Sequence, residues 1–207
     1  MLKAKRSLSQ NFLIDQNISK KIVDQTNVKN KIVLEIGPGY GFMTNCILLK
    51  NPKKLILIEK DTNLIKYLKK RYKDQKKIFI IEDDALNYDF SKHKNLIIIS
   101  NLPYNISTKL ILYLFSFHKN INEMIFMIQK EVAHKFDYKI SNMNKYKFLT
   151  YTVSTFFRCF DVSSKVFVPK PKVKSTVVKF IFNKKRINFN KANLFSSLIF
   201  KNIRKKI

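Results

Sequence analysis

Four short apolar runs, each closing on a polar loop, restrict this chain more than any other feature. They are Lys31-Ile32-Val33-Leu34-Glu35-Ile36, Lys54-Leu55-Ile56-Leu57-Ile58-Glu59, Ile78-Phe79-Ile80-Ile81 and Leu96-Ile97-Ile98-Ile99-Ser100. A strand with one wet face alternates polar and apolar residues. These runs do not alternate, so both of their faces must be covered. Between them the apolar spacing becomes helical, through about Leu49 after the first run and around Leu64–Tyr72 after the second. Two-sided strands separated by helices give a doubly wound α/β fold of Rossmann-like type with a mostly parallel sheet. Residues 107–118 then read as a helix with Ser107 or Thr108 near its N-cap, and Glu123–Ile128 as a further strand. Residues 148–160 are aromatic and β-branched, 173–182 alternate like a late antiparallel strand, and the Lys/Asn-rich stretch 137–147 reads as a loop.

At 207 residues and 45% hydrophobic, the chain has material for one sizeable core. It divides into a main domain over 1–182 and a short basic tail over 183–207, which holds one amphipathic stretch, Leu194–Ile203. No apolar run approaches the roughly 18–20 residues of a membrane span. The basic start, Met1-Leu2-Lys3-Ala4-Lys5-Arg6, is followed by no apolar segment, so a secretory signal is not expected. A mitochondrial presequence suits its composition but has little room before Ser9. The expectation is a cytoplasmic monomer. Cys46 and Cys159 form no Cys-x-x-Cys pattern, and His93, His118 and His134 have no ligand spacing, so neither disulfide nor metal site is expected.

The formal net charge of +27 suggests a polyanionic partner. Drift towards Lys, Asn, Ile and Phe under AT-rich coding would produce the same excess, so charge alone is a weak guide.

Ligands of open parallel sheets bind beyond the carboxyl ends of the strands. Four polar loops fall there: 37–41, 59–61, 83–85 and 100–104. In Gly37-Pro38-Gly39-Tyr40-Gly41 the glycines let the backbone turn sharply and approach a ligand. Glu59 closes the second run and can accept both hydroxyl hydrogens of a ribose. This pair alone suits a nicotinamide dinucleotide as well. The G-x-G-x-G spacing, preceded by Glu35, departs from the pyrophosphate-binding G-x-G-x-x-G. S-adenosylmethionine has a cationic amine and sulfonium and no phosphate, so carboxylates near the turn favour it. Asp84, beside Ala85, can accept from the amino group of the cofactor's adenine, or merely cap the next element.

Ser100-Asn101-Leu102-Pro103-Tyr104 follows the fourth run. The exocyclic amine of adenine is a poor nucleophile because its lone pair is delocalised into the ring. Acceptors placed on its two hydrogens localise that pair for in-line attack on a methyl group. The Asn101 amide oxygen and the Leu102 carbonyl can serve, with Pro103 fixing the turn. Tyr104 offers a flat ring for an extruded base. No general base is needed beforehand, because the product ammonium can lose its proton to water.

These residues resemble a known family. Ser9-Gln10-Asn11-Phe12-Leu13, Glu35–Gly41, Asn101-Leu102-Pro103-Tyr104-Asn105-Ile106-Ser107-Thr108, Gln129-Lys130-Glu131-Val132-Ala133 and Phe167-Val168-Pro169-Lys170-Pro171-Lys172-Val173-x-Ser175 stand in the order of the small-subunit rRNA adenine-N6 dimethyltransferases. The resemblance covers about residues 5–182. It implies S-adenosyl-L-methionine as cofactor and small-subunit rRNA in the assembling small ribosomal subunit as partner. The expected reaction is dimethylation of two adjacent adenines in the hairpin near the rRNA 3′ end. It implies that Asn11 and Leu13 lie at the cofactor's edge, with Gly37, Gly39, Gly41, Glu59, Asp84, Ala85 and Asn101 around it. It also implies that Phe167 faces Tyr104 across the flipped base.

Three departures qualify this. Ser9 replaces the family's usual Gly and is common in the erythromycin-resistance methylases of large-subunit rRNA. Leu102 and Asn105-Ile106-Ser107-Thr108 favour the small-subunit enzymes. Lys147 stands where the family has Gly after Tyr146. Finally, the family carries a C-terminal helical domain, of which 183–207 reads as a remnant. RNA would then rest on the basic main domain and on Lys184, Lys185, Arg186, Lys201, Arg204, Lys205 and Lys206. A DNA adenine methyltransferase, which more often has Asp-Pro-Pro-Tyr, and a binding factor with an idle methyl site are the competing readings.

Overall fold

A computed structural model describes residues 10–183 and 188–203, with side chains as far as Phe200. Ser9, Lys184, Lys185, Arg186, Arg204, Lys205 and Lys206 lie outside the described residues, as does the side chain of Lys201.

The four apolar runs are strands β2 (Ile32–Ile36), β3 (Lys54–Glu59), β4 (Ile78–Glu82) and β5 (Leu96–Asn101), after a short β1 (Phe12–Leu13). Strand β6 (Ile121–Gln129) is parallel to β5. Two later strands, β7 (Ser154–Val162) and β9 (Ser175–Phe182), complete a seven-stranded sheet of order β4-β3-β2-β5-β6-β9-β7. Strand β9 runs antiparallel to both its neighbours, as the alternation of 173–182 predicts. Between it and β7 lies β8 (Phe167–Val168), which leaves the sheet to pair with β1 in a two-stranded ribbon.

Residue parity shows why the runs are continuously apolar. Leu34, Ile36, Ile56, Ile58, Ile98, Met124 and Phe126 enter one buried cluster. Val33, Leu55, Leu57, Ile97, Ile99, Ile125 and Met127 enter another. Successive side chains point to opposite faces, so each run feeds two cores. Full burial of each such side chain is worth about 1.5–3 kcal/mol.

Helices cover both faces: α1 (Gln16–Val23), α2 (Phe42–Leu49), α3 (Thr62–Arg71), α4 (Ser107–Phe115), α5 (Lys130–Phe136), α6 (Lys145–Val153) and α7 (Phe189–Ile203). Their starts are chemically marked. Asp15 accepts from the Ile18 N–H, Asp61 from Asn63, and Asn144 from Tyr146 and Lys147.

The stretch 137–160 departs from the sequence expectation. Helix α6 begins inside the expected loop and occupies half of the β-branched segment. Leu149 and Val153, four residues apart, both reach the core, and Phe148 packs against Phe195 and Phe200 of α7. Lys147, in the family's glycine position, is only 4% exposed. Its Nζ donates to the carbonyls of Ile140, Ser141 and Asn142 at 3.1, 2.7 and 3.1 Å, closing the loop before the helix. Helix α7 docks by the same face: Phe189 joins the core and Lys145 Nζ donates to Ser197 Oγ at 2.9 Å.

No helix among the described residues is long and apolar enough to cross a membrane. Among those residues no three His, Cys, Asp or Glu side chains group as metal ligands would, and Cys46 and Cys159 are free thiols.

Candidate active site

The chain leaves β2 for β3 on one side of the sheet and later returns to β5 on the other. That reversal opens a crevice at the carboxyl ends of β2 and β5. A cavity open to solvent occupies it, walled by residues 10–13, Glu35, Gly37–Tyr40, Glu59, Lys60 and Asn101–Ile106.

The turn after β2 depends on glycine. Gly37, Gly39 and Gly41 have φ of +63°, +57° and +80°, a region that side chains with a Cβ rarely enter. Gly41, which begins α2, is doubly constrained, since a Cβ there would lie 2.2 Å from the Tyr72 hydroxyl. That hydroxyl donates to Asn45 Oδ1 at 2.7 Å, so Tyr72 braces the turn from behind.

Two acids, Glu35 and Glu59, line the crevice, and Asp61 caps the helix just past the second of them. Glu59 is 8% exposed and its Oε1 accepts from the N–H groups of Lys60 and Asp61, each at 2.9 Å. Burial pushes its pKa up, and these N–H groups, with that of Gly39, oppose the rise. Asp61 Oδ2 accepts from Gln10 Nε2 at 3.0 Å, which clips the segment before β1 to the end of β3. Glu35 is fully enclosed. Burial pushes its pKa up to about 8, against the lowering effect of the Thr44 hydroxyl, which donates to Oε2 at 2.6 Å. Nearby Glu59 adds to the rise.

The turn after β5 is equally fixed. The Leu102 N–H donates to the Met127 carbonyl at 3.1 Å, and Ser107 Oγ donates to the Tyr104 carbonyl at 3.1 Å. Asn101 Nδ2 donates to the Asn11 carbonyl at 2.9 Å. This contact decides which way the amide points. With its nitrogen held by a carbonyl, Oδ1 is turned to accept.

The crevice thus brings together Asn11, Leu13, Gly37, Gly39, Glu59, Asn101, Leu102, Pro103 and Tyr104. Gly41 shapes the turn from outside the wall. Asp84 and Ala85 are also off the wall, and Asp84 is already engaged. Its Oδ1 accepts from the Leu86 N–H and its Oδ2 from Lys60 Nζ, both at 3.0 Å. Burial raises its pKa, but these two donors outweigh it and leave the carboxyl below its usual range. Phe167 differs most from expectation. It is 2% exposed and packs with Leu13, Val162 and Val177 in the core rather than on the cavity wall. The register of the β1–β8 ribbon places it opposite Leu13 and turns its neighbour Val168 to solvent.

Sequence reasoning did not assign Gln10, Asp61, Thr44 or Lys60. Glu35 and Thr44 lie on adjoining elements nine residues apart, which leaves no periodic signature. Gln10 and Asp61 meet only through tertiary structure.

The donor set fits S-adenosylmethionine. Two acids on the wall, the enclosed Glu35 and Glu59 at the end of β3, suit a ligand that is cationic at one end. The Glu59 carboxylate, held rigid by main-chain donors, suits a ribose diol. Among the described residues the basic side chain on this wall is Lys60, and its Nζ is paired with Asp84.

Comparison with known proteins decides between the readings left open by the motifs. A family model for ribosomal RNA adenine dimethylase matches residues 1–206. The chain belongs to this family. Ribosomal RNA small subunit methyltransferase A of Malacoplasma penetrans is 40% identical over 204 residues, which are 96% of this chain and 73% of that protein. Among solved structures, a dimethyladenosine transferase from Plasmodium falciparum superposes with a TM-score of 0.82 at 30% identity, over 92% of this chain and 70% of that one. The 23S rRNA methyltransferase ErmE superposes with a TM-score of 0.80 over 93% of this chain and 80% of its own, but at 20% identity it shares the fold alone. This ribosomal RNA adenine dimethylase is an S-adenosylmethionine-dependent methyltransferase of Rossmann-like fold.

Proposed function

We propose that the protein methylates N6 of two adjacent adenines in the hairpin loop near the 3′ end of small-subunit rRNA. It acts as a cytoplasmic monomer on assembling small subunits, with residues 1–182 as catalytic domain and 183–207 as a basic C-terminal segment. The 40% identity with a small-subunit enzyme supports the substrate. The orientation of Asn101 carries the mechanism.

Bound S-adenosylmethionine supplies an electrophilic methyl group on a sulfonium. Glu59 holds its ribose, Gly37 and Gly39 let the backbone approach it, and Glu35 offsets its positive charge. Asp84 serves the adenine end once Lys60 yields its place. Asn101 Oδ1 and the Leu102 carbonyl take the two hydrogens of the target amine and localise its lone pair. Tyr104 stacks on the base. Phe167, packed opposite Leu13 in the β1–β8 ribbon, backs the edge of the crevice from the core. The proton released after transfer goes to water.

The test is transfer of labelled methyl to unmodified small subunits. Replacing Asn101 by Ala should lower kcat at saturating cofactor by roughly 10²–10³, as for loss of a transition-state hydrogen-bonding group. Transfer at the wild-type rate would sink this mechanism.

A further inference from the structure

Tyr104 has one polar end, and it is not left to water. Its hydroxyl lies 2.7 Å from Ser175 Oγ, across 71 residues of sequence. Ser175 is fully buried at the start of β9, where it pairs with Gln129 of β6 on one side and Val162 of β7 on the other. The partner of the ring is therefore held in the middle of three strands. At its other end the Tyr104 backbone is held by Ser107 Oγ.

We propose that Ser175 is a positioning residue for methyl transfer, fixing the plane of the Tyr104 ring on which the target base stacks. The proposal rests on the function given above. Conjugation keeps a phenolic O–H close to the plane of its ring, so a fixed partner for the hydroxyl resists rotation about the Cβ–ring bond as well as swinging of the side chain. A base stacked on a ring that tilts would carry its amine away from Asn101 Oδ1, and small misplacements cost rate steeply. Burial raises the Tyr104 pKa, against the lowering effect of the Ser175 hydroxyl, so the phenol keeps its proton at neutral pH.

Ser175 also follows the loop 169–174, whose Lys170, Lys172 and Lys174 are exposed. The Lys174 carbonyl accepts from the Lys130 N–H at 3.0 Å, which fixes the loop's end to the start of α5. RNA phosphates held by these lysines are thereby registered to the stacking ring through the very next residue.

The experiment compares wild type with Ser175→Ala, Ser175→Thr, Tyr104→Phe and Ser175→Ala/Tyr104→Phe in methyl transfer to unmodified small subunits. Cofactor affinity is measured by calorimetry and folding by thermal unfolding. Ser175→Ala should lose roughly tenfold in kcat, with KM for RNA and cofactor Kd within about twofold. Tyr104→Phe, which removes the same bond from its partly exposed end, should match it. The double variant should be no slower than either single, because both remove one bond. Ser175→Thr should recover most of the rate. Wild-type kcat in Ser175→Ala, losses that multiply in the double variant, or a loss that Thr does not restore would each overturn the role of Ser175. A wild type that transfers no methyl would instead overturn the functional reading beneath it.

Discussion

Glu35 is a carboxyl group enclosed beside a second acid, and its charge state should govern how the apo protein responds to pH. Its pKa is about 8 in the folded chain against an ordinary value of 4.5. Between these values the folded state holds a proton that the unfolded chain releases. Folding therefore binds protons in that window, and stability falls as pH rises through it, by at most roughly 1.4 kcal/mol per pH unit from this group. Glu35→Gln, which cannot ionise, should flatten the dependence; denaturant unfolding of both proteins at pH 5 and pH 8 checks this. An equally steep decline in Glu35→Gln would mean that other groups carry it. Cofactor binding should have the opposite proton balance, since a cationic ligand favours the carboxylate. Gly41 makes a purely steric case. Gly41→Ala meets both a positive φ and the Tyr72 hydroxyl, and should cost about 1–3 kcal/mol. Adding Tyr72→Phe should recover part of that loss, because it removes the 2.2 Å contact and leaves tight ring contacts at 3.1 and 3.2 Å with the backbone strain. Full recovery would show that neither the ring contacts nor strain at φ +80° is part of the cost.

Elements that owe their form to local pattern were readable in advance. Strands β2, β3 and β5 are buried on both faces, so their central residues are apolar without alternation. The glycine turn and Asn101–Tyr104 were readable because backbone conformation demands particular residue types there. Helix α6 was not. Tyr146, Phe148, Tyr151, Thr152 and Val153 all favour strands, and only the Asn144 cap and the burial of Leu149 and Val153 make the segment helical. The β1–β8 ribbon was equally hidden, since two residues on each side show no period, and with it the burial of Phe167. Family likeness identified the ring without revealing how it is packed. Lys147 tests how the loop before α6 is held. A buried ammonium serving three carbonyls is hard to replace. Lys147→Met, similar in length, should lower stability by about 1–3 kcal/mol through the unmet acceptors. It should also speed proteolysis within 137–144. Unchanged denaturation and cleavage would show that water serves those carbonyls as well.

The whole molecule separates its charges in a way that composition alone does not require. Against 41 Lys and Arg there are only 14 Asp and Glu. Several of those acids are committed. Glu35 and Glu59 are buried at the crevice and Asp61 just past β3, while Asp24, Asp84 and Glu123 are ion-paired with Lys50, Lys60 and Lys179, and Asp161 with both Lys130 and Arg158. The interior of the site is acidic and suits a cationic cofactor; the outside is left basic and suits a polyanion. Drift in base composition explains abundant lysine, but it does not place Glu35 and Glu59 inside the site. The two ligands should therefore respond oppositely to salt. Binding of a hairpin from small-subunit rRNA should weaken with a slope of log K against log salt steeper than about −4, corresponding to five or more phosphate contacts. Cofactor affinity should change little over the same range, because its partners are enclosed. Titrations of both ligands at four or more salt concentrations separate the outcomes. A shallow slope for RNA would mean that the excess lysine is solvated surface, and that the substrate is held chiefly by base contacts at Tyr104 and Asn101.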